Sequence, residues 1–161
     1  MLIRIRRYWY LLLILLGVVL SAAIFRWQTL PISEPITING ITVAPIPTLD
    51  AKWVAQGEPM FAKYCASCHG ANLEGVPEWK TVQPDGKLLP PPQDSSGHTW
   101  HHPDDLLLSV IIEGGDPSSS DMPAFRGILT NEEMNAILTF IKASWGQEER
   151  EFQWWITAKD Q

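Results

Sequence analysis

The sequence predicts an all-α domain of three to four short helices joined by long loops, behind an N-terminal apolar segment. An amphipathic helix is predicted over 131–144, because Thr130 and Glu133 form a capping-box pattern and apolar residues follow at helical spacing. A second helix is predicted over 104–113, which is apolar nearly all round and is followed by Gly114. The stretches between are rich in glycine and proline, as loops are. At 161 residues, one domain with appendages is the natural expectation.

The only two cysteines lie three residues apart in the segment Cys65-Ala66-Ser67-Cys68-His69. This pattern indicates covalent attachment of c-type haem, because two thiols one helical turn apart reach the porphyrin vinyl groups and the adjoining imidazole binds the iron. Cys65 and Cys68 are therefore predicted to hold one haem c, with His69 as an axial ligand. A redox dithiol would need a βαβ setting, a zinc site would need a second ligand pair, and a disulfide leaves His69 without a role.

Over residues 50–145 the chain resembles the class I cytochrome c family, in particular its membrane-anchored bacterial members. The residues that carry the resemblance are the attachment motif, Gly70, Gly57 and Phe61, the pair Met122-Pro123, and the helix over 131–144. The resemblance implies the class I cytochrome c fold, in which helices and long loops surround one covalent haem.

The resemblance also implies further site residues. In this family a loop carrying Met-Pro delivers the sixth iron ligand, which here is Met122, on the haem face opposite His69. A thioether favours Fe(II), so such coordination raises the reduction potential relative to a second histidine. In the family a proline carbonyl orients the axial histidine by accepting its other ring N–H; the candidates are Pro90, Pro91 and Pro92. Trp100 is suggested, from its place in the loop, to reach a haem propionate.

The first helix is predicted to begin after Asp50, a residue typical of an N-cap. Gly57 and Phe61 follow on one face, and in the family Gly57 lies where the first helix crosses the last. Pro59 removes a backbone hydrogen bond from a helix interior. A break near Glu58 is therefore expected.

Residues 1–27 predict a single-pass transmembrane anchor. The uncharged run 8–25 is long enough for a short span of the lipid bilayer, and three arginines precede it, which places the N-terminus in the cytoplasm. The haem domain would then lie on the periplasmic face of a bacterial inner membrane. The alternative is a signal peptide cleaved near Ala23, which would export the domain as well.

Two segments flank the predicted haem domain, residues 50–146. Residues 28–49 contain four prolines and are predicted to be a stiff spacer, although Asn39-Gly40 between alternating residues is also a hairpin pattern. If this segment is ordered, a neighbouring subunit is expected to order it. The tail 147–161 contains an apolar cluster of Phe152, Trp154, Trp155 and Ile156. We expect it either to dock on a partner or at a membrane interface, or to fold back on the domain, and both alternatives stay open.

Three of the four histidines lie within residues 98–102. A second metal site is one interpretation of His98, His101 and His102. The favoured interpretation is that these residues form the loop that leads into the helix beginning at Asp104, because no acidic or thiolate ligand completes a metal site locally.

Charge and ligation together indicate the function. Residues 28–161 carry eight basic and 18 acidic residues, which makes nucleic acid an improbable partner and suits a redox partner with a basic docking face. Two filled axial positions leave no open site for catalysis. The sequence therefore predicts a tethered electron carrier, not an enzyme, that docks to or is a fixed subunit of a respiratory or photosynthetic complex. Two alternatives stay open: a haem ligand sensor or enzyme with an exchangeable sixth ligand, and a metal-trafficking module using the three clustered histidines.

Overall fold

The computed structural model describes residues 14–16 and 34–160. Residues 34–160 belong to one compact unit, and residues 14–16 are helical and exposed. Within these described ranges, no helix is long and apolar enough to cross a lipid bilayer. The predicted anchor over 8–25, apart from residues 14–16, and the predicted cleavage point at Ala23 lie outside the described residues.

Residues 34–160 are mostly helical, which confirms the main part of the predicted fold class. The helices are α1 (Ala51–Tyr64), α2 (Ala66–His69), α3 (Asp104–Glu113), α4 (Asn131–Ala143) and α5 (Gln147–Ala158), with a 3₁₀ turn at Thr99–His101. Two strands, β1 (Ile36–Ile38) and β2 (Ile41–Val43), form an antiparallel hairpin in which Ile36 lies opposite Val43. The hairpin is the one departure from an all-α fold in this part of the chain.

Helix α1 begins as predicted and continues through its proline. The Asp50 side chain accepts a hydrogen bond from the backbone N–H of Lys52 at 2.8 Å. Pro59 lies inside the helix, so the predicted break near Glu58 is wrong. The reason is packing: Gly57 and Phe61, on either side of the proline, are both buried. Their burial outweighs one missing backbone hydrogen bond.

Helices α1 and α4 cross at Gly57. A Cβ atom added to Gly57 would lie 2.0 Å from the carbonyl oxygen of Ala136 and 2.7 Å from the Cβ of Phe140, so only glycine fits this approach. One turn further along, the Phe61 and Phe140 rings lie with their centroids 5.5 Å apart. Phe61 and Ile137 are the most deeply buried large side chains of the described core. The crossing is therefore the centre of the fold.

The predicted bounds of α3 and α4 agree with the structure to within one residue. The capping box of α4 is formed in both directions. The Glu133 backbone N–H donates to Thr130 Oγ1 at 3.2 Å, and the Thr130 backbone N–H donates to the Glu133 carboxylate at 2.8 Å. The local sequence pattern was sufficient here because every partner lies within one helical turn.

The two flanking segments pack on each other. Asn39 and Gly40 adopt φ angles of 51° and 77°, the left-handed pair that a tight two-residue hairpin turn requires. The expectation of a stiff spacer is therefore wrong for residues 36–43. The indole N–H of Trp155 donates to the carbonyl oxygen of Ile41 at 3.0 Å, and that of Trp154 donates to Ala44 at 2.9 Å. The chain's own C-terminal helix orders the hairpin, and the tail folds back on the domain.

Candidate cofactor-binding site

The attachment segment continues the direction of α1 with a short interruption. Cys65 closes α1 and precedes α2, and its backbone N–H donates to the carbonyl oxygen of Phe61 at 2.9 Å. The backbone N–H of His69 donates to Cys65 at 2.9 Å, so both thiols and the imidazole lie on one helical turn. Cys65 is half-buried against the hydrophobic core, Cys68 is exposed, and both are free thiols.

The two thiols lie in unlike environments. Burial, and secondarily the neighbouring Cys68, raises the pKa of Cys65 to about 11. A reactive dithiol needs the opposite shift, because the thiolate is the nucleophile and its formation must be easy at neutral pH. The environment of Cys65 therefore does not favour the easily ionised thiol that a redox dithiol requires.

His69 is held by a backbone carbonyl through one ring nitrogen. Its Nδ1 lies 2.8 Å from the carbonyl oxygen of Pro91. Burial lowers the pKa of His69 below its ordinary value, and the Pro91 bond opposes that effect. When Nδ1 donates its proton to Pro91, Nε2 is the nitrogen that remains for a metal. Of the three prolines that the sequence left as candidates, Pro91 is the one in contact with His69.

The Pro91 carbonyl is positioned by the loop that follows α2. Gly75, at φ 64°, allows this close approach, because a Cβ atom there would lie 2.5 Å from the carbonyl carbon of Pro91. The backbone N–H of Gly75 donates to the carbonyl oxygen of His69 at 2.7 Å, and that of Val76 donates to Pro90 at 3.0 Å. Two loop segments are thereby fastened side by side next to the imidazole.

Gln93 also lies at this imidazole, and sequence reasoning missed it. It is one of the few buried polar residues in the described part of the chain, and its side-chain Nε2 lies 3.1 Å from His69 Nδ1. A glutamine directly after a proline run carries no recognisable signature. Only the path of the folded loop brings it to His69.

Met122 lies in a loop whose main chain is anchored at that residue. Its backbone N–H donates to Ser120 Oγ at 3.1 Å, and its carbonyl oxygen accepts from the Gly115 N–H at 3.0 Å. The half-buried Met122 side chain packs against the same hydrophobic core as Cys65. Met134, by contrast, is buried within that core.

Trp100 forms part of the 3₁₀ turn and also packs against the core. Its indole N–H donates to the carbonyl oxygen of Ser95 at 3.3 Å, and its ring stacks on His101 with centroids 3.7 Å apart. The suggested contact of Trp100 with a haem propionate remains a prediction. In this structure its only ring N–H is already engaged by the backbone.

The clustered histidines stack on aromatic rings. His98 lies parallel to Trp79 with centroids 5.1 Å apart, and the ring of His102 meets that of His98 edge-on. Burial, followed by the charges of His102, His101 and Lys80, lowers the pKa of His98. Among the residues that the structure describes, no group of three or more His, Cys, Asp or Glu side chains is arranged to hold a metal ion. A second metal site here is therefore not supported.

These residues fit a covalently bound haem. Two cysteines on one helical turn could form the two thioether bonds, and the neighbouring imidazole has its Nδ1 engaged, which leaves Nε2 for the iron. The thioether side chain of Met122, on an anchored loop, packs against the same hydrophobic core as Cys65. That His69 and Met122 both bind the iron remains a prediction.

Comparison with known proteins agrees with this chemistry. Residues 53–141 match the family model described as cytochrome c oxidase, cbb3-type, subunit III. The gluconate 2-dehydrogenase cytochrome c subunit of Pantoea cypripedii is 26% identical in an alignment of 114 residues that covers 65% of this chain. The chain spans only 22% of the length of that relative. None of the solved structures matches the chain.

Proposed function

The chain belongs to the family of cytochrome c oxidase, cbb3-type, subunit III, and on that premise we propose that it transfers single electrons between redox partners. It is a mono-haem cytochrome c, and its cofactor is one covalently bound haem c. The bond between His69 Nδ1 and the Pro91 carbonyl carries the proposal, because such a bond is what orients a metal-bound histidine.

Each site residue has a role in this proposal. When bound, haem c supplies an iron atom that gains or loses one electron. Cys65 and Cys68 would hold the macrocycle by thioether bonds, and His69 would donate one nitrogen to the iron. Met122 would donate a sulfur, which stabilises the reduced state relative to a second imidazole. With the iron held by both residues, the chain would position and shield the cofactor without binding a substrate.

The proposed location is the outer face of a bacterial inner membrane, with residues 8–25 as the anchor. The uncharged run and the arginines before it support an anchor with a cytoplasmic N-terminus. We expect the haem protein to stay in the membrane fraction after a high-salt wash, because salt screens charges and leaves a buried apolar segment in place. Release by salt would instead indicate cleavage near Ala23 and a peripheral protein.

The proposed partners are proteins of a membrane redox complex. The relative's name makes it a cytochrome c subunit, and the matched family is that of an oxidase subunit, so we propose that this chain is also a subunit of an oxidoreductase complex. The excess of acidic residues after residue 27 suits docking to a basic face. The hairpin and the tail pack on each other, so the order of the hairpin does not by itself indicate a neighbouring subunit.

Replacing Met122 with alanine tests the ligand assignment. We expect Met122→Ala to lower the reduction potential and to let the reduced protein bind carbon monoxide, because the sixth position loses its sulfur. Redox titration and optical spectra measure both effects. Met60→Ala is the matched control, since Met60 is also a half-buried methionine packed against the core. Should the parent protein itself bind carbon monoxide readily, the ligand-sensor alternative would replace the electron-carrier proposal.

A further inference from the structure

Two polar atoms of the loop lie beside Nδ1 of His69. Nδ1 lies 2.8 Å from the Pro91 carbonyl oxygen and 3.1 Å from the Gln93 side-chain Nε2. Nε2 in turn lies 3.4 Å from the same carbonyl oxygen. The imidazole edge thus has two polar neighbours at hydrogen-bond distance, and one of them is a side chain.

Gln93 is held firmly on both sides of its main chain. Its backbone N–H donates to the carbonyl oxygen of Leu73 at 2.8 Å, and its carbonyl oxygen accepts from the indole N–H of Trp145 at 2.8 Å. At the far side of the amide group, Thr99 Oγ1 lies 3.0 Å from Oε1. Gln93 is 8% exposed and Thr99 is 9% exposed, so water does not compete for these bonds. A side chain anchored in this way has little freedom except rotation of the amide about its own axis.

Iron binding determines which end of that amide faces the imidazole. A histidine that binds a metal through Nε2 carries its proton on Nδ1, which is then a donor. If the amide NH₂ of Gln93 faced this Nδ1–H, two donors would oppose each other. If the amide oxygen faced it, the oxygen would accept a hydrogen bond from Nδ1–H. Half a turn of the amide exchanges the two ends, which differ little in shape. The NH₂ group then faces Thr99 Oγ1, and a hydroxyl oxygen can accept as well as donate.

We infer that Gln93 is a positioning residue for the axial histidine, whose Nδ1–H is shared between the Gln93 side-chain oxygen and the Pro91 carbonyl. The inference rests on the proposed function, since it assumes that His69 binds the iron through Nε2. A second acceptor draws the Nδ1 proton further from the ring and makes the imidazole a stronger electron donor. Stronger donation favours Fe(III), so Gln93 lowers the reduction potential of the protein.

The test is Gln93→Leu in the haem-loaded protein. This change removes the side-chain oxygen and keeps the main-chain bonds to Leu73 and Trp145. We expect the reduction potential to rise. We also expect the His69 Nδ1 proton of the reduced protein to move upfield in the NMR spectrum and to exchange faster with water. Gln153→Leu is the matched control, because Gln153 is a buried glutamine whose hydrogen bonds go to α3, α5 and the carbonyl of His102. It should leave both measurements unchanged.

Thr99→Val gives a second, milder variant. It frees the far end of the amide and removes neither the Gln93 oxygen nor the Pro91 carbonyl from His69, so both measurements should shift in the same direction by less. If Gln93→Leu does not retain a folded haem protein, the effect of Thr99→Val on the reduction potential and on the Nδ1 proton tests the inference alone. An unchanged or lowered potential, an unchanged Nδ1 proton, or an equal shift in Gln153→Leu would each overturn the inference.

The parent protein separates this inference from the proposed function. Pigment that stays with the polypeptide on a denaturing gel, and is lost in Cys65→Ala and Cys68→Ala, establishes covalent haem. If the parent carries no such pigment, the proposed function fails. If it does and the Gln93 variants behave like the parent, only the role of Gln93 fails.

Discussion

The crossing of α1 with α4 and the pairing of the β1–β2 hairpin with α5 both join an early segment of the chain to a late one. At the crossing, apolar side chains and a glycine bring two helices into direct contact, with Phe61 and Ile137 almost fully buried. At the chain ends, indole N–H groups of Trp154 and Trp155 donate to backbone carbonyl oxygens of Ala44 and Ile41. The first contact depends on the close fit of two helices, and in the second a few hydrogen bonds to main-chain carbonyls add to the burial of Trp155. Mutations should therefore affect the two regions by different amounts.

The largest effect is expected at the crossing, from Gly57→Ala. Alanine is the better helix former by about 1 kcal/mol. Its Cβ would nevertheless lie 2.0 Å from the Ala136 carbonyl oxygen, a backbone atom that cannot move aside. We expect the free energy of unfolding to fall by about 3 kcal/mol, the upper end for overpacking. Denaturant titration measures it, with the exposed neighbour Gln56→Ala as the control. A loss below about 1 kcal/mol would show that the two helices separate more easily than their contact implies.

A smaller effect is expected at the chain ends, from Trp155→Phe. The change keeps an aromatic ring but loses the N–H that donates to Ile41 and part of the buried indole, so the cost should be about 2 kcal/mol. Amide hydrogen exchange in β1 and β2 should accelerate while the haem spectrum stays the same. Trp154→Phe is the matched comparison and should cost less, because Trp154 is more exposed than Trp155. Equal costs, or a changed haem spectrum, would mean that the hairpin is not an independent attachment.

The smallest effect is expected at the start of α4, from Thr130→Ala. Loss of an N-cap costs about 1 kcal/mol at neutral pH. Hydrogen bonds from the Thr130 backbone and hydroxyl lower the pKa of Glu133 below its ordinary value. The carboxylate's contribution is therefore complete above the unfolded-state pKa and is lost as the pH falls through the lower folded-state pKa. The stability difference between the parent and Thr130→Ala should shrink in acid. Glu132→Ala removes the neighbouring carboxylate of the first turn and is the control for the helix dipole. A stability difference between the parent and Thr130→Ala that does not change in acid would contradict the reciprocal cap.

Predictions from the sequence were accurate for the helices whose defining residues are neighbours in the chain. The bounds of α3 and α4 and the capping box of α4 all depend on residues within one or two helical turns. The choice of Pro91 among three prolines, and the presence of Gln93 at His69, depend on contacts across more than 20 residues. No local pattern marks which carbonyl or amide a loop will bring to an imidazole.

The continuous helix through Pro59 illustrates the same limit. Local preference favours a break, because proline lacks the N–H that a helix interior uses. The burial of Gly57 and Phe61 against α4 outweighs that preference, and α4 lies some 70 residues later in the chain. The helix propensity of one residue is a small free energy, and the sequence does not show which distant segment packs against that residue.

By itself, the sequence determined the chemistry of this protein, because two thiols and an imidazole lie at a spacing that suits haem c. It also determined the helices whose capping residues are neighbours in the chain. Only the tertiary structure decided which carbonyl holds His69, that Gln93 lies beside it, and that the C-terminal helix orders the hairpin. The physical reason is the range of the interactions. Covalent geometry and helix capping act within a turn of chain, whereas close packing and hydrogen bonds to main-chain carbonyls depend on segments that meet only when the chain folds.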